Sequence, residues 1–220
     1  MLFQIANILT PAECTAITEA LSADDLWLDG KATAKGAARQ AKKNLQADAK
    51  TAVVKGVLAK VEKALRANAV FKAAAQPARF GRLMVNRYEK GMSYGDHVDA
   101  PYINDTRSDL SFTVFLTDPD SYDDGALVID GAGQQTVIRG PLGSAVLYPS
   151  TAVHRVEAVT RGERLACVGW VRSRVKVSDH RAILYDLETI ITDLNHLDTP
   201  VGIRNRLSNV RNNLLRNFGE

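Results

Sequence analysis

The chain has 220 residues, 45% of them apolar, which is enough for one globular domain with its own core and argues against a disordered protein. Its 28 Lys and Arg against 25 Asp and Glu leave a formal charge of only +3, too even to argue for a nucleic-acid partner. Cys14 and Cys167 are the only cysteines, far apart and outside any CxxC, a usage that speaks against a disulfide framework or a Cys-rich zinc site and fits the reduced thiols of a cytoplasm.

The opening "MLFQIANILTPAEC" lacks a basic n-region and a small-residue cleavage pattern, and no apolar run approaches the ~20 residues of a membrane span, so a soluble cytoplasmic protein is expected. Thr10, Pro11 and Glu13 mark a helix start with a capping box, and that helix should run to about Leu21. The small, polar and basic stretch "GKATAKGAARQAKKNLQADAK" reads as a loop. Lys42, Lys43, Asn44 and Gln46 within it are either solvated or folded over the active site. Val53, Val54, Val57, Leu58, Val61 and Leu65 then recur at helical spacing and predict a second helix.

From residue 79 the pattern turns to short β-rich runs punctuated by Gly, Pro and Asp, the mark of an all-β sandwich or barrel. Asp123, Asp124 and Gly125 read as one of its turns. After Ser178 helical stripes return, Ile183 to Leu194 and Ile203 to Phe218, the second behind a Thr199-Pro200 start signal. These stripes should pack either on the barrel or against a second subunit of a homodimer.

The stretch "YGDHVDAPYI" sets His97 and Asp99 two positions apart, on one face if the segment is a strand. A lone His-x-Asp is usually a surface pair. His154, in "LYPSTAVHRVEAV", supplies a third ligand, because His180 and His196 fall in the helical tail as solvated residues. Two histidines and one carboxylate form the facial triad of non-haem Fe(II) oxygenases, with positions left open for substrate-derived ligands and O2. A hairpin turning at Thr160-Arg161-Gly162 would set Arg164 opposite Ala158, on the face of His154 and about 13 Å deeper at ~3.3 Å per residue. An extended five-carbon diacid would bridge that gap, chelating the metal at one end and meeting the planar guanidinium fork at the other. Cys167, an odd number of positions from Arg164, should face away, and Tyr94 and Tyr148 should flank the mouth.

The segments "RYEKGMSYGDHVDAP", "RSDLSFTVFLTDPDSYDDGALVI" and "GSAVLYPSTAVHRVEAVTRGERLACVGWVRS", with the tail "LYDLE", closely resemble the PKHD-type hydroxylases, relatives of prolyl and lysyl hydroxylases that use Fe(II) and 2-oxoglutarate. The resemblance runs over most of the chain and is densest from about residue 78 to 175. It implies a mainly β fold with flanking helices: a double-stranded β-helix (jelly roll) core over 78–175, a helical support region over 1–77, and a C-terminal helical pair over 176–220. It implies His97, Asp99 and His154 as iron ligands and Arg164 as the anchor of the far carboxylate of 2-oxoglutarate. Tyr88, in "NRYEKG", matches a position where related enzymes often keep a tyrosine near the cosubstrate, and core packing is its equal alternative. O2 as co-reactant, ascorbate as reductant and a link to bacterial iron homeostasis follow from the same resemblance, with a small molecule or a peptidyl residue as substrate.

Two other functions compete. An oxidative demethylase of nucleic acid or protein lacks support, because aromatics are only 6% of the chain and none interleave with basic residues to stack bases. A non-catalytic jelly-roll binding protein has no need of an intact triad with its arginine.

Overall fold

The computed structural model describes residues 1–33, 36–131 and 133–220, without the side chains of 37 and 38. In chain order it places β1 (Phe3–Ile5), α1 (Pro11–Ala20), β2 (Trp27–Asp29), α2 (Gly36–Ala41), β3 (Lys42–Lys43), β4 (Leu45–Ala47), α3 (Ala52–Ala67) and α4 (Ala69–Ala75). There follow β5 (Pro77–Tyr88), β6 (Ser93–His97), β7 (Tyr102–Ile103), β8 (Thr106–Arg107), β9 (Leu110–Phe115), β10 (Asp123–Asp124), β11 (Leu127–Gly131) and β12 (Gln134–Ile138). The remaining elements are β13 (Ala145–Pro149), β14 (His154–Val156), β15 (Val159–Arg161), β16 (Arg164–Ser173), α5 (Ser178–Asn195) and α6 (Val201–Phe218).

Two antiparallel sheets form the jelly roll. The larger has the order β1-β13-β9-β16-β5-β4-β2 and the smaller β12-β11-β14-β6-β3. Central strands of the larger sheet are buried on both faces, so their residues alternate between two cores. Along β9, Leu110, Phe112 and Val114 face the core shared with the helices, while Phe115 joins the core between the sheets, alongside Tyr88, Leu127, Ile129, Val146 and Tyr148. Polar Ser111 and Thr113 sit on that inner face as well, within a cavity. Period-2 alternation thus sorts apolar packing to one side and site chemistry to the other.

The helices behave as their caps and stripes predict. Thr10 Oγ1 accepts from Glu13 N at 3.2 Å while Glu13 Oε2 accepts from Thr10 N at 2.9 Å, closing the capping box. Val54, Val57, Val61 and Leu65 of α3 are buried, whereas Val53 is exposed. At the C-terminus, Leu184 and Arg181 are buried, Tyr185 packs on Phe3, and His180 stacks on Phe218 with ring centroids 3.7 Å apart. His180 is therefore half-buried rather than solvated, because α6 folds back over the start of α5.

Several expectations need correction. The stretch expected as a loop carries α2, β3 and β4, and β3 and β4 extend opposite sheets, Lys42 pairing with Tyr94 and Gln46 with Asn86. Ala34 and Lys35 of that stretch lie outside the described residues. The region before residue 78 accordingly supplies strands β1 to β4 as well as helical support. Asp123 and Asp124 form a short strand against β15, with Arg161 bidentate to Asp123 at 2.7 and 2.9 Å, and the turn follows at Gly125. Nor does the chain make the expected hairpin around Thr160-Arg161-Gly162: β15 pairs with β10, and β16 crosses to the larger sheet, where Arg164 lies opposite Tyr88 rather than Ala158. Gly162, at φ +74°, lets the chain leave one sheet for the other with Ser121 and Tyr122 packed too closely for any side chain.

Candidate active site

β14 and β6 set His154 opposite His97, with imidazole centroids 4.1 Å apart. Because β6 ends at His97, Asp99 reaches the site from the loop after the strand and not from the same strand face. One ligand atom each from His97, Asp99 and His154 lies within 4.8 Å of the others. His154 Nε2 is 3.7 Å from Asp99 Oδ2.

Each of these side chains is held by a second contact. His97 Nδ1 lies 2.9 Å from the Gly95 carbonyl and His154 Nδ1 lies 3.0 Å from the Ala152 carbonyl. A carbonyl only accepts, so both Nδ1 atoms carry the proton and both Nε2 lone pairs are free. Ser111 Oγ donates to Asp99 Oδ2 at 2.6 Å and lies 2.8 Å from Ser150 Oγ. Burial, and then the neighbouring His154, push His97 down to about 4, so the imidazole is neutral at physiological pH, as metal ligation requires. Two free imidazole nitrogens and one carboxylate oxygen in mutual reach, each oriented from behind, fit Fe(II).

Tyr94 stacks on His97 at 3.6 Å, and buried Tyr148 meets His154 edge-on at 5.1 Å. Burial raises the Tyr148 hydroxyl well above its ordinary value, which keeps it a neutral hydrogen-bonding group. Tyr94 thus flanks the mouth as expected, whereas Tyr148 forms part of the wall.

Arg164 is the largest fully buried side chain, at 2% exposure. Its guanidinium lies 5.4 Å from the Tyr88 ring centroid and 5.7 Å from that of Phe115. Among the described residues, Nε and Nη2 have no hydrogen-bond partner. Burying an unpaired charge costs on the order of several kcal/mol, and two cation–π contacts of about 0.5–2 kcal/mol each offset only part of that. Tyr88 is itself buried against the arginine, and burial raises its hydroxyl while Arg164 opposes the rise. Cys167 faces the other core, as its odd spacing from Arg164 predicts. His196 remains on the exposed tail, away from the cluster.

One cavity of about 270 Å³ is lined by the triad, Tyr88, Lys42, Arg82, Val98 and Trp170; Arg164 is not among its lining residues. Sequence reasoning missed Arg82, Asn86, Thr113 and Trp170. The first two share the inward face of β5 with Tyr88 at even spacing, a signal that becomes readable once Tyr88 is known to point inward.

Residues 83–172 match the model of the 2OG-Fe(II) oxygenase superfamily. A PKHD-type hydroxylase of Maricaulis maris is 45% identical over 88% of each chain, and one of Synechococcus elongatus is 41% identical over the full length of both. Among solved structures, a Trichoplax adhaerens prolyl hydroxylase in complex with a hypoxia inducible factor peptide fragment superposes with a TM-score of 0.60 over 83% of this chain and 86% of that one, at 18% identity. A Pseudomonas putida prolyl-4-hydroxylase gives 0.53 over 79% and 92%, at 19% identity. Both share the jelly-roll fold. The chain belongs to the PKHD-type hydroxylases of the 2OG-Fe(II) oxygenase superfamily, dioxygenases that work with Fe(II), 2-oxoglutarate and O2.

Proposed function

We propose that His97, Asp99 and His154 are the iron ligands of this hydroxylase, and that Arg164 grips the far carboxylate of 2-oxoglutarate with Tyr88 beside it. The observation that carries this reading is the buried guanidinium of Arg164 with Nε and Nη2 unpartnered. A carboxylate satisfies both donors in parallel and neutralises the charge. Bound iron, with O2 and 2-oxoglutarate, supplies the oxidising chemistry and yields succinate and CO2. The protein positions and excludes. The Gly95 and Ala152 carbonyls hold both Nε2 atoms toward Asp99, Ser111 and Ser150 fix the carboxylate, and Tyr88, Phe115 and Leu127 keep water from the arginine end.

The chemistry is assigned to the 78–175 core, with 1–77 and 176–220 as support. The substrate is a small molecule or a peptidyl residue; a peptide bound to the Trichoplax enzyme supports the second form. No described helix is long and apolar enough to cross a membrane, and the reading places the enzyme in the cytoplasm. Half-exposed Ile190, Ile203 and Val210 on the C-terminal helices are the surface for a homodimer, which light scattering decides. The function itself is tested by Fe(II)-dependent release of succinate from 2-oxoglutarate. It is expected in the wild type and lost in Asp99→Ala and His154→Ala; equal release by the folded variants refutes the ligand assignment.

A further inference from the structure

The cavity is lined by two cations, Lys42 and Arg82, whereas Arg164 is not among its lining residues. Arg82, Met84, Asn86 and Tyr88 occupy alternate positions of β5 and all line it. Tyr88 pairs with Arg164, and Arg82 lies six positions before Tyr88, about 20 Å at ~3.3 Å per residue. Arg82 therefore stands far from Arg164, in the row of Trp170, which pairs with the Ser111 that holds Asp99.

Lys42 enters from the other sheet, where it pairs with Tyr94. Its Nζ is 3.1 Å from Thr33 Oγ1 and 5.2 Å from the Tyr94 ring centroid. It is only 3% exposed, and among the described residues neither it nor Arg82 forms an ion pair. Burial, and then repulsion from Arg82, bring the ammonium down to about 8 against the opposing pull of Asp29 and Asp99. The Trp170 Nε1 and Asn86 Oδ1 atoms, also on this wall, are buried without partners among the described residues. Two cations from opposite sheets, near enough to repel, and an indole that can only donate line one cavity, and these three are satisfied by an anion, while the unpartnered Asn86 Oδ1 takes a donor on the same ligand. Its planar acceptor is a carboxylate, matched to the arginine fork.

We propose that the substrate of this site is a small carboxylic acid whose carboxylate is held between Lys42 and Arg82, with the Trp170 indole N–H as a third donor. The proposal rests on the dioxygenase reading above, which leaves the Arg164 end to 2-oxoglutarate. At about 270 Å³ the cavity falls just below the range of small-molecule sites, about 300–1,000 Å³, so what enters it must be compact. An internal peptide residue presents a neutral amide at the same place and leaves both cations unpaired.

Two indole N–H groups exist in the chain, and Trp27 donates to the Leu21 carbonyl at 3.0 Å, which makes it an internal control. The experiment is a nitrogen–proton correlation spectrum of the full-length protein, with Zn(II) in place of Fe(II) and saturating 2-oxoglutarate to occupy Arg164. N-acetylglycinate is titrated in parallel with neutral N-acetylglycinamide. The expected result is a saturable shift of the Trp170 indole signal with the acid alone, the Trp27 signal unmoved, and affinity weakened at least about tenfold in Lys42→Met and Arg82→Gln, the loss of one charge-assisted hydrogen bond. If Lys42→Met does not fold, half-buried Arg82→Gln decides. Equal shifts with both probes, no shift with either, or unchanged affinity in the folded variants overturns the proposal. Succinate release reports on the dioxygenase reading separately: release without a probe shift refutes the carboxylate site alone, and a probe shift without release refutes the dioxygenase reading alone.

Discussion

Replacing Arg164 by methionine should uncouple stability from cosubstrate binding. Methionine, though shorter, keeps the apolar stem of the side chain but removes a buried charge between Tyr88 and Phe115 whose Nε and Nη2 lack partners among the described residues. Hydrophobic replacement of buried ionic groups is often neutral or stabilising, by about 1–4 kcal/mol, so the ligand-free variant should melt no lower than the wild type. Binding should move the other way. Two parallel charge-assisted hydrogen bonds, each worth about 1.5–3 kcal/mol, are lost, which weakens 2-oxoglutarate at least roughly a hundredfold. At a concentration of 100 Kd the wild type gains about 2.7 kcal/mol from the ligand, or roughly 5–11 °C at 2–4 °C per kcal/mol for a chain of this size. If Kd rises a hundredfold, the same concentration gives Arg164→Met only about 0.4 kcal/mol, a shift of roughly 1–2 °C. Thermal unfolding with and without 2-oxoglutarate, under anaerobic conditions with Fe(II), reads both numbers at once. A variant that melts several degrees lower without ligand, yet keeps the full ligand-induced shift, refutes the reasoning, because Arg164 would then be a structural residue.

Ser111→Ala removes the donor to Asp99 Oδ2 and should weaken Fe(II) about 10- to 100-fold in an anaerobic titration while the fold is kept. Gly125 sits at φ +63°, and a Cβ there would lie 2.7 Å from Val159 Cγ2 and 3.3 Å from Arg164 Cδ. Gly125→Ala should therefore cost roughly 1–3 kcal/mol in denaturant unfolding and also weaken 2-oxoglutarate, because the arginine stem must shift. His180→Ala should leave succinate release intact and lose only the stack on Phe218, about 0.5–1.5 kcal/mol; loss of release in the folded variant would contradict a purely structural His180.

The parts of the site readable in advance were those written in local chemistry. His97 and His154 stand out because the chain has only four histidines, two of them in the helical tail, Asp99 and Arg164 join them through the resemblance, and period-2 alternation places Cys167 on the opposite face from Arg164. The capping box at Thr10 and Glu13 is equally local. What escaped was set by long-range pairing. Lys42, Lys43, Leu45 and Gln46 have no strand pattern of their own, and only Tyr94 and Asn86, each some 40 or more positions away, draw them into opposite sheets. The same cause misplaced Arg164. A Thr-Arg-Gly turn between two β runs normally joins neighbours, yet β15 is taken by Asp123 and β16 by β5 and β9, so the chain crosses between sheets at Gly162. The arginine still points inward, but from the opposite wall. Asp99 likewise comes to the cluster from a loop, where the i, i+2 spacing from His97 had implied a strand.

The most direct measurement is the fate of oxygen atoms. Turnover of the Fe(II)-loaded protein with 2-oxoglutarate under 18O2, read by mass spectrometry of the succinate, should place a single labelled oxygen in the succinate formed, and no labelled succinate should form with Asp99→Ala. Succinate free of label, or labelled succinate persisting in Asp99→Ala, would contradict a dioxygenase centred on His97, Asp99 and His154.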